Sequence, residues 1–156
     1  MSKSLKRVQD ALAAAGLQIT PLEMAAETRT AAQAAEAAGC AIDQIAKSII
    51  LQGAVSGAVV LFVTAGGHQV DADRAAALAG ETLVRADADA VRAQTGFAIG
   101  GVSPVGHLAP VRAFFDPTLL TFPSVWAAAG TPRHIFPIAP NDLLRISGAQ
   151  VADFTA

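Results

Sequence analysis

The chain has 156 residues, of which 53% are hydrophobic and 15% charged, with a net charge of −2 and an isoelectric point near 5.8. This length suits one domain that buries about two-thirds of its unfolded surface, and the composition lies far from that of disordered chains. The acidic balance argues against a protein that grips duplex DNA or long RNA by neutralising phosphates, but it permits recognition of a short nucleic-acid end in a pocket.

Mean hydropathy is positive, at +0.44. No apolar run approaches the roughly 18 residues that span a bilayer; the longest, Ala58 to Val63, is strand-sized. The charged start, Met1 to Arg7, leads into an amphipathic pattern without an apolar signal core, so a cytoplasmic protein is expected.

The first predicted helix runs from Ser4 to Ala15, with Leu5, Val8, Ala11 and Leu12 on one face and Gly16 as its stop. A second opens at Thr30, whose spacing to Gln33 makes a capping box, and ends at Gly39. Asp43 and Gln44 fit a short helical turn. Lys47–Leu51 and Ala58–Thr64 then read as buried strands joined by a glycine-containing hairpin. Asp71 caps a helix that ends at Gly80, Leu83–Arg85 is a short strand, and Asp87 caps a helix closed by Gly96.

The segment Gly100-Gly101-Val102-Ser103-Pro104-Val105-Gly106 cannot be regular structure. After it come a strand over Val111–Phe115 and a short helix with Asp116 as cap and Pro117 as first residue. Val125–Ala129 and His134–Ile138 are predicted to pair, and Asn141 to cap a last helix over Asp142–Ile146. No repeat, linker or domain boundary interrupts residues 1–156. The irregular alternation of strands and helices predicts a single α+β domain, a mixed sheet surrounded by helices.

Several chemistries lack their motifs. The sequence has no phosphate loop, no dinucleotide fingerprint and no nucleophile elbow. His68, His107 and His134 lack the paired spacing of a zinc site, and the single Cys40 has no metal-ligand neighbours, so nucleotide hydrolysis, hydride transfer and metal-assisted hydrolysis all lose favour.

Two features remain. Lys47 stands at the start of an apolar strand, whereas Lys3 and Lys6, the only other lysines, belong to the first helix. It reads either as a snorkelling strand-end lysine or as a fixed ammonium that could hold a phosphate or carbonyl oxygen. The second is the loop Gly100–Gly106, either a tight connection or a side-chain-poor cradle that aims backbone N–H groups at one oxygen.

The order of these pieces resembles the YbaK/prolyl-tRNA-synthetase-associated editing family. It comprises Thr30-Ala-x-x-Ala, Ile45-Ala46-Lys47-Ser48, Val70-Asp71, Thr95-Gly96, the Gly-x-x-x-Pro-x-Gly loop from Gly100 to Gly106, Asp116 with Leu119-Leu120, Ala129-Gly130 and Asp142-Leu143. The resemblance covers about residues 25 to 153. It implies that fold, no cofactor, and hydrolysis of the ester of mischarged tRNA, tRNA(Pro) or a related one carrying a small non-cognate amino acid.

It further implies that Lys47 with Gly100, Gly101, Ser103, Pro104 and Gly106 fixes the aminoacyl-adenosine end, while the terminal ribose hydroxyl or a water completes the reaction without a protein nucleophile. By the same resemblance Thr30 and His134 line the amino-acid pocket, although Thr30 also suits a helix N-cap and His134 a strand end. The implied partners are the tRNA acceptor end and an aminoacyl-tRNA synthetase. Rival readings are a non-catalytic acceptor-end or synthetase-binding module of the same fold, a DNA-binding regulator, and an esterase using Ser48, Ser103 or Cys40 as nucleophile.

Overall fold

A computed structural model describes residues 2–156. Helix α1 (Lys3–Ala14) is capped by the Ser2 hydroxyl and buries Leu5, Val8 and Leu12. A two-residue strand β1 (Leu22–Glu23) precedes α2 (Ala31–Ala38), where Thr30 and Gln33 form the reciprocal capping box. One turn of 3-10 helix over Ile42–Gln44 leads into the long hairpin of β2 (Ala46–Gly53) and β3 (Val59–Ala65). Then follow α3 (Ala72–Ala79), β4 (Leu83–Arg85), α4 (Ala88–Thr95) and, after the glycine-proline loop, β5 (Arg112–Phe115). A 3-10 helix over Pro117–Thr121, β6 (Val125–Ala128), β7 (His134–Ile138), α5 (Pro140–Ser147) and β8 (Gln150–Val151) complete the order.

The α+β class expected from the sequence is what forms, but the strands divide into two sheets. One is mixed, in the order β4-β2-β3-β5-β8; the other is antiparallel, β1-β7-β6. A parallel bridge between Ile45 and Trp126 joins them just before β2 begins. Strand β3 explains its own unbroken apolar run, because all seven of its residues are buried. Val59, Leu61, Val63 and Ala65 face the larger core with α1, α4 and β7. Val60 and Phe62 face a second cluster with Ala75, Phe114 and Phe154.

Three details depart from the sequence reading. The last helix is capped by Ala139, not Asn141, because Pro140 takes the first helical position, where its missing N–H costs nothing and its φ is already helical. Strands β1 and β8 escape a pattern-based reading, since two residues carry no period and each exists only through its partner, β7 and β5 respectively.

Candidate active site

Strand β4 pairs with β2 only at Leu51–Gly53, so the first half of β2 has no strand on that side. Against this open edge lies a cavity of about 420 Å³, walled by the start of α2, by β2, by Gly100 and Val102 of the loop, and by Trp126 to Ala128 of β6. Its volume lies within the range of small-molecule sites. Among the described residues its wall carries three cations, Arg29, Lys47 and Arg85, and no Asp, Glu, His or Cys. A protein that is acidic overall thus concentrates positive charge at one concavity.

Lys47 pairs across the hairpin with Thr64. Its Nζ donates to the carbonyls of Gly66 at 3.1 Å and His68 at 2.5 Å, both in the turn that closes β3. Of its three N–H groups one is left without a protein acceptor among the described residues. Burial lowers the pKa of this ammonium, opposed by the negative charges of Asp43 and Asp116.

Both carboxylates shape the turn as well. Asp43 accepts from Gly67 N at 2.8 Å; Asp116, almost fully buried, accepts from Ala65 N at 3.1 Å, Thr118 N at 2.9 Å and the His68 ring at 2.8 Å. Burial by itself raises the Asp116 pKa, but the bonds from Thr118, Ala65 and His68 together outweigh it and leave the carboxyl below its usual range.

The loop has two sides. Gly100, at φ 94°, puts its Cα beside the Arg29 guanidinium, and Gly106, at φ 80°, closes the loop; both lie in the left-handed region that glycine tolerates. The Gly101 N–H is consumed by Ala98 O at 3.1 Å, whereas the N–H groups of Gly100, Val102 and Ser103 have no protein acceptor among the described residues. Ser103 is fully buried and its Oγ accepts from Val105 N at 3.2 Å. Pro104 and Gly106 face away from the cavity, into a shallow groove with His107 and Ile146.

Thr30 both caps α2 and contributes to the wall. His134 is not part of it: the ring sits 2.6 Å from Thr131 Oγ1 in the β6–β7 turn, and the residue pairs with Glu23. Ser48 is in the wall, and its Oγ is buried without a hydrogen-bond partner among the described residues. Such an atom carries a desolvation cost until something bonds it. Arg29, Arg85 and Trp126 have no local signature that marks them in the sequence; they meet only because α2, β4 and β6 converge.

This is a mixed α+β domain with a cationic, glycine-edged pocket and no nucleophile–base pair in its wall. Residues 25–146 match the aminoacyl-tRNA editing domain family, and the chain belongs to that family, in agreement with the resemblance to YbaK-type proteins.

The uncharacterized protein YwhH of Bacillus subtilis is 30% identical over 129 residues, covering 83% of this chain and 82% of that protein. A crystal structure of a candidate trans-editing enzyme for prolyl tRNA synthetase superposes with a TM-score of 0.91 at 45% identity, covering all of this chain and 99% of its own. The hypothetical protein APE2540 superposes with a TM-score of 0.87 at 30% identity, covering 96% and 99% of the two chains.

Proposed function

We propose that this chain hydrolyses the ester of mischarged aminoacyl-tRNA in trans, with the terminal aminoacyl-adenosine held in the cavity beside β2. The observation that carries this reading is the wall itself, with three cations and no carboxylate in a protein of net negative charge. Arg29 and Arg85 suit the phosphates that lead into the pocket, and Arg85 has no ion-pair partner among the described residues. Trp126 offers an aromatic surface to the terminal base.

In the reaction, water attacks the ester carbonyl carbon and negative charge grows on the carbonyl oxygen. The free N–H groups of Gly100 and Val102 and the positive charge of Lys47 are suited to stabilise that oxygen. The carbon–oxygen bond to the ribose then breaks, the ribose oxygen takes a proton, and free amino acid and tRNA leave. The vicinal ribose hydroxyl, adjacent to the ester in the substrate itself, suits the task of orienting the water, and such positioning substitutes for a protein nucleophile. Lys47 suits the role of a polarising charge better than that of a base, since two carbonyls already accept its protons.

By analogy with the trans-editing relative, tRNA(Pro) carrying a small non-cognate amino acid is the first substrate to try, with the cytoplasm as the compartment and a synthetase as the partner that delivers it. The decisive experiment is release of amino acid from a panel of mischarged tRNAs by purified protein. Turnover on one or more supports the proposal. Binding without turnover on any would leave a non-catalytic acceptor-end module.

A further inference from the structure

Helix α1 lies outside the segment that defines the family match, which begins at residue 25. Yet its Arg7 reaches across the molecule to the glycine-proline loop. The guanidinium donates through Nη2 to Gly96 O at 2.5 Å and through Nε to Gly106 O at 3.3 Å, linking the end of α4 to the end of the loop. It stacks 4.9 Å from the centre of the Phe97 ring, and Phe97 in turn meets His107 edge-on at 5.9 Å. His107 Nε2 donates back into the loop, to Ser103 O at 2.7 Å.

The helix backbone touches the same region. A Cβ on Gly106 would lie 3.1 Å from Arg7 O and 3.3 Å from Val8 N. A Cβ on Gly130, in the β6–β7 turn, would lie 3.0 Å from Ser4 O and 2.9 Å from the Phe97 ring. Gly101 meanwhile packs its Cα against the Gly130–Thr131 backbone, where an added Cβ would sit 3.3 Å from Thr131 C. The loop is therefore wedged between α1 and the β6–β7 turn, at a spacing that leaves little room for a side chain at these positions.

We infer that Arg7 is a positioning residue for hydrolysis: by tying Gly96 and Gly106 together it holds the cavity-facing half of the loop, Gly100–Val102, in the geometry that receives the ester oxygen. It touches no substrate and acts through the loop backbone. This rests on the hydrolytic reading above, but the clamp itself has a readout that needs no substrate.

The test compares wild type with Arg7→Met, which keeps a similar stem without the donors, and with Arg7→Lys, which keeps the charge but replaces the planar fork of separated donors with a single ammonium. Hydrogen exchange is followed at Gly101, Val105 and Leu108, whose amides donate to Ala98 O, Ser103 Oγ and Thr95 O. The β2–β3 amides serve as the internal measure of global folding. Arg7→Met is expected to exchange these three amides, two in the loop and one just after it, about tenfold faster with the hairpin unchanged. Its kcat for deacylation falls about tenfold with KM within about twofold, and Arg7→Lys falls between.

Loop exchange equal to wild type would overturn the clamp. Faster exchange with unchanged kcat would overturn its part in hydrolysis. If Arg7→Met does not fold, Arg7→Lys decides by the same two measurements. Should wild type deacylate nothing, the hydrolytic reading fails, and with it the catalytic part of this inference, while the exchange result still decides the clamp.

Discussion

The ammonium of Lys47 donates to the carbonyl of His68 at 2.5 Å, and the imidazole of that same histidine meets the Asp116 carboxylate at 2.8 Å. A residue at the start of β2 is thus positioned by one at the end of β5, through the turn that follows β3. Because a carboxylate only accepts, His68 Nδ1 carries the proton in this pair. Asp43, on Gly67 N, holds the middle of the same turn. Two acidic groups therefore fix the carbonyls that hold the lysine, and their charge also favours its protonated form.

From this arrangement Lys47→Ala is expected to fold, to lose roughly 2 to 3 kcal/mol of stability with its two charge-assisted hydrogen bonds, and to lose deacylase activity by about a hundredfold. Lys47→Arg should not restore activity, because a planar fork does not occupy the place of a compact ammonium between two carbonyls. Thermal melting and single-turnover deacylation check both. Wild-type rates in Lys47→Ala would remove this residue from the mechanism.

Ser48→Ala should leave the melting temperature unchanged or raise it, since the Oγ it deletes is buried with no partner among the described residues. If the substrate supplies that partner, the same variant raises KM by about tenfold. A fall in melting temperature would mean that the hydroxyl is already bonded in the free protein.

Arg29→Ala and Arg85→Ala each remove one cation from the cavity rim. Each should weaken tRNA binding, with the salt slope of log affinity becoming shallower by about 0.7 to 0.9 for each lost phosphate contact. Titrations of tRNA at several salt concentrations measure this. Unchanged slopes would move the acceptor strand away from these arginines. Arg29 should show the smaller effect, because Glu27 at 3.4 Å already offsets part of its charge.

Stability should fall with acid in two stages. Burial pushes the His107 pKa below its ordinary 6.5; the bond to Ser103 O opposes this and the neighbouring Arg7 charge adds to it. The unfolded chain therefore binds a proton first, and stability declines as pH drops from 6.5 through the folded value. The Asp116 carboxyl, also held below its ordinary 3.8, adds a second loss as pH falls below that point. Melting curves across pH should show the first stage flattened in His107→Gln, whose amide can keep the bond to Ser103 O. An unchanged first stage in that variant would assign it to another group.

Most of the secondary structure was legible because its causes are local. Thr30 with Gln33, Asp71, Asp87 and Asp116-Pro117 each announce a helix start within three residues, and each cap forms as read. The run Ala58–Thr64 announced a strand buried on both faces. Asn141 misled because Pro140 beside it is the stronger start signal. Leu22–Glu23 and Gln150–Val151 gave no signal, since a two-residue strand is defined by the chain it lies against.

The candidate site divides the same way. The order of motifs around Lys47 and Gly100–Gly106 identifies the family, and glycine permits the left-handed φ that Gly100 and Gly106 adopt and Gly101 does not. What only the tertiary structure decided is where those residues look. The loop splits into a cavity side and an Arg7 side, His134 turns to Thr131, and Arg29, Arg85 and Ser48 converge on one pocket. Capping and periodicity act over a few residues, so sequence carries them. The bond from Arg7 to Gly106 spans 99 positions, and only the register of two sheets and the packing of α1 bring its ends together.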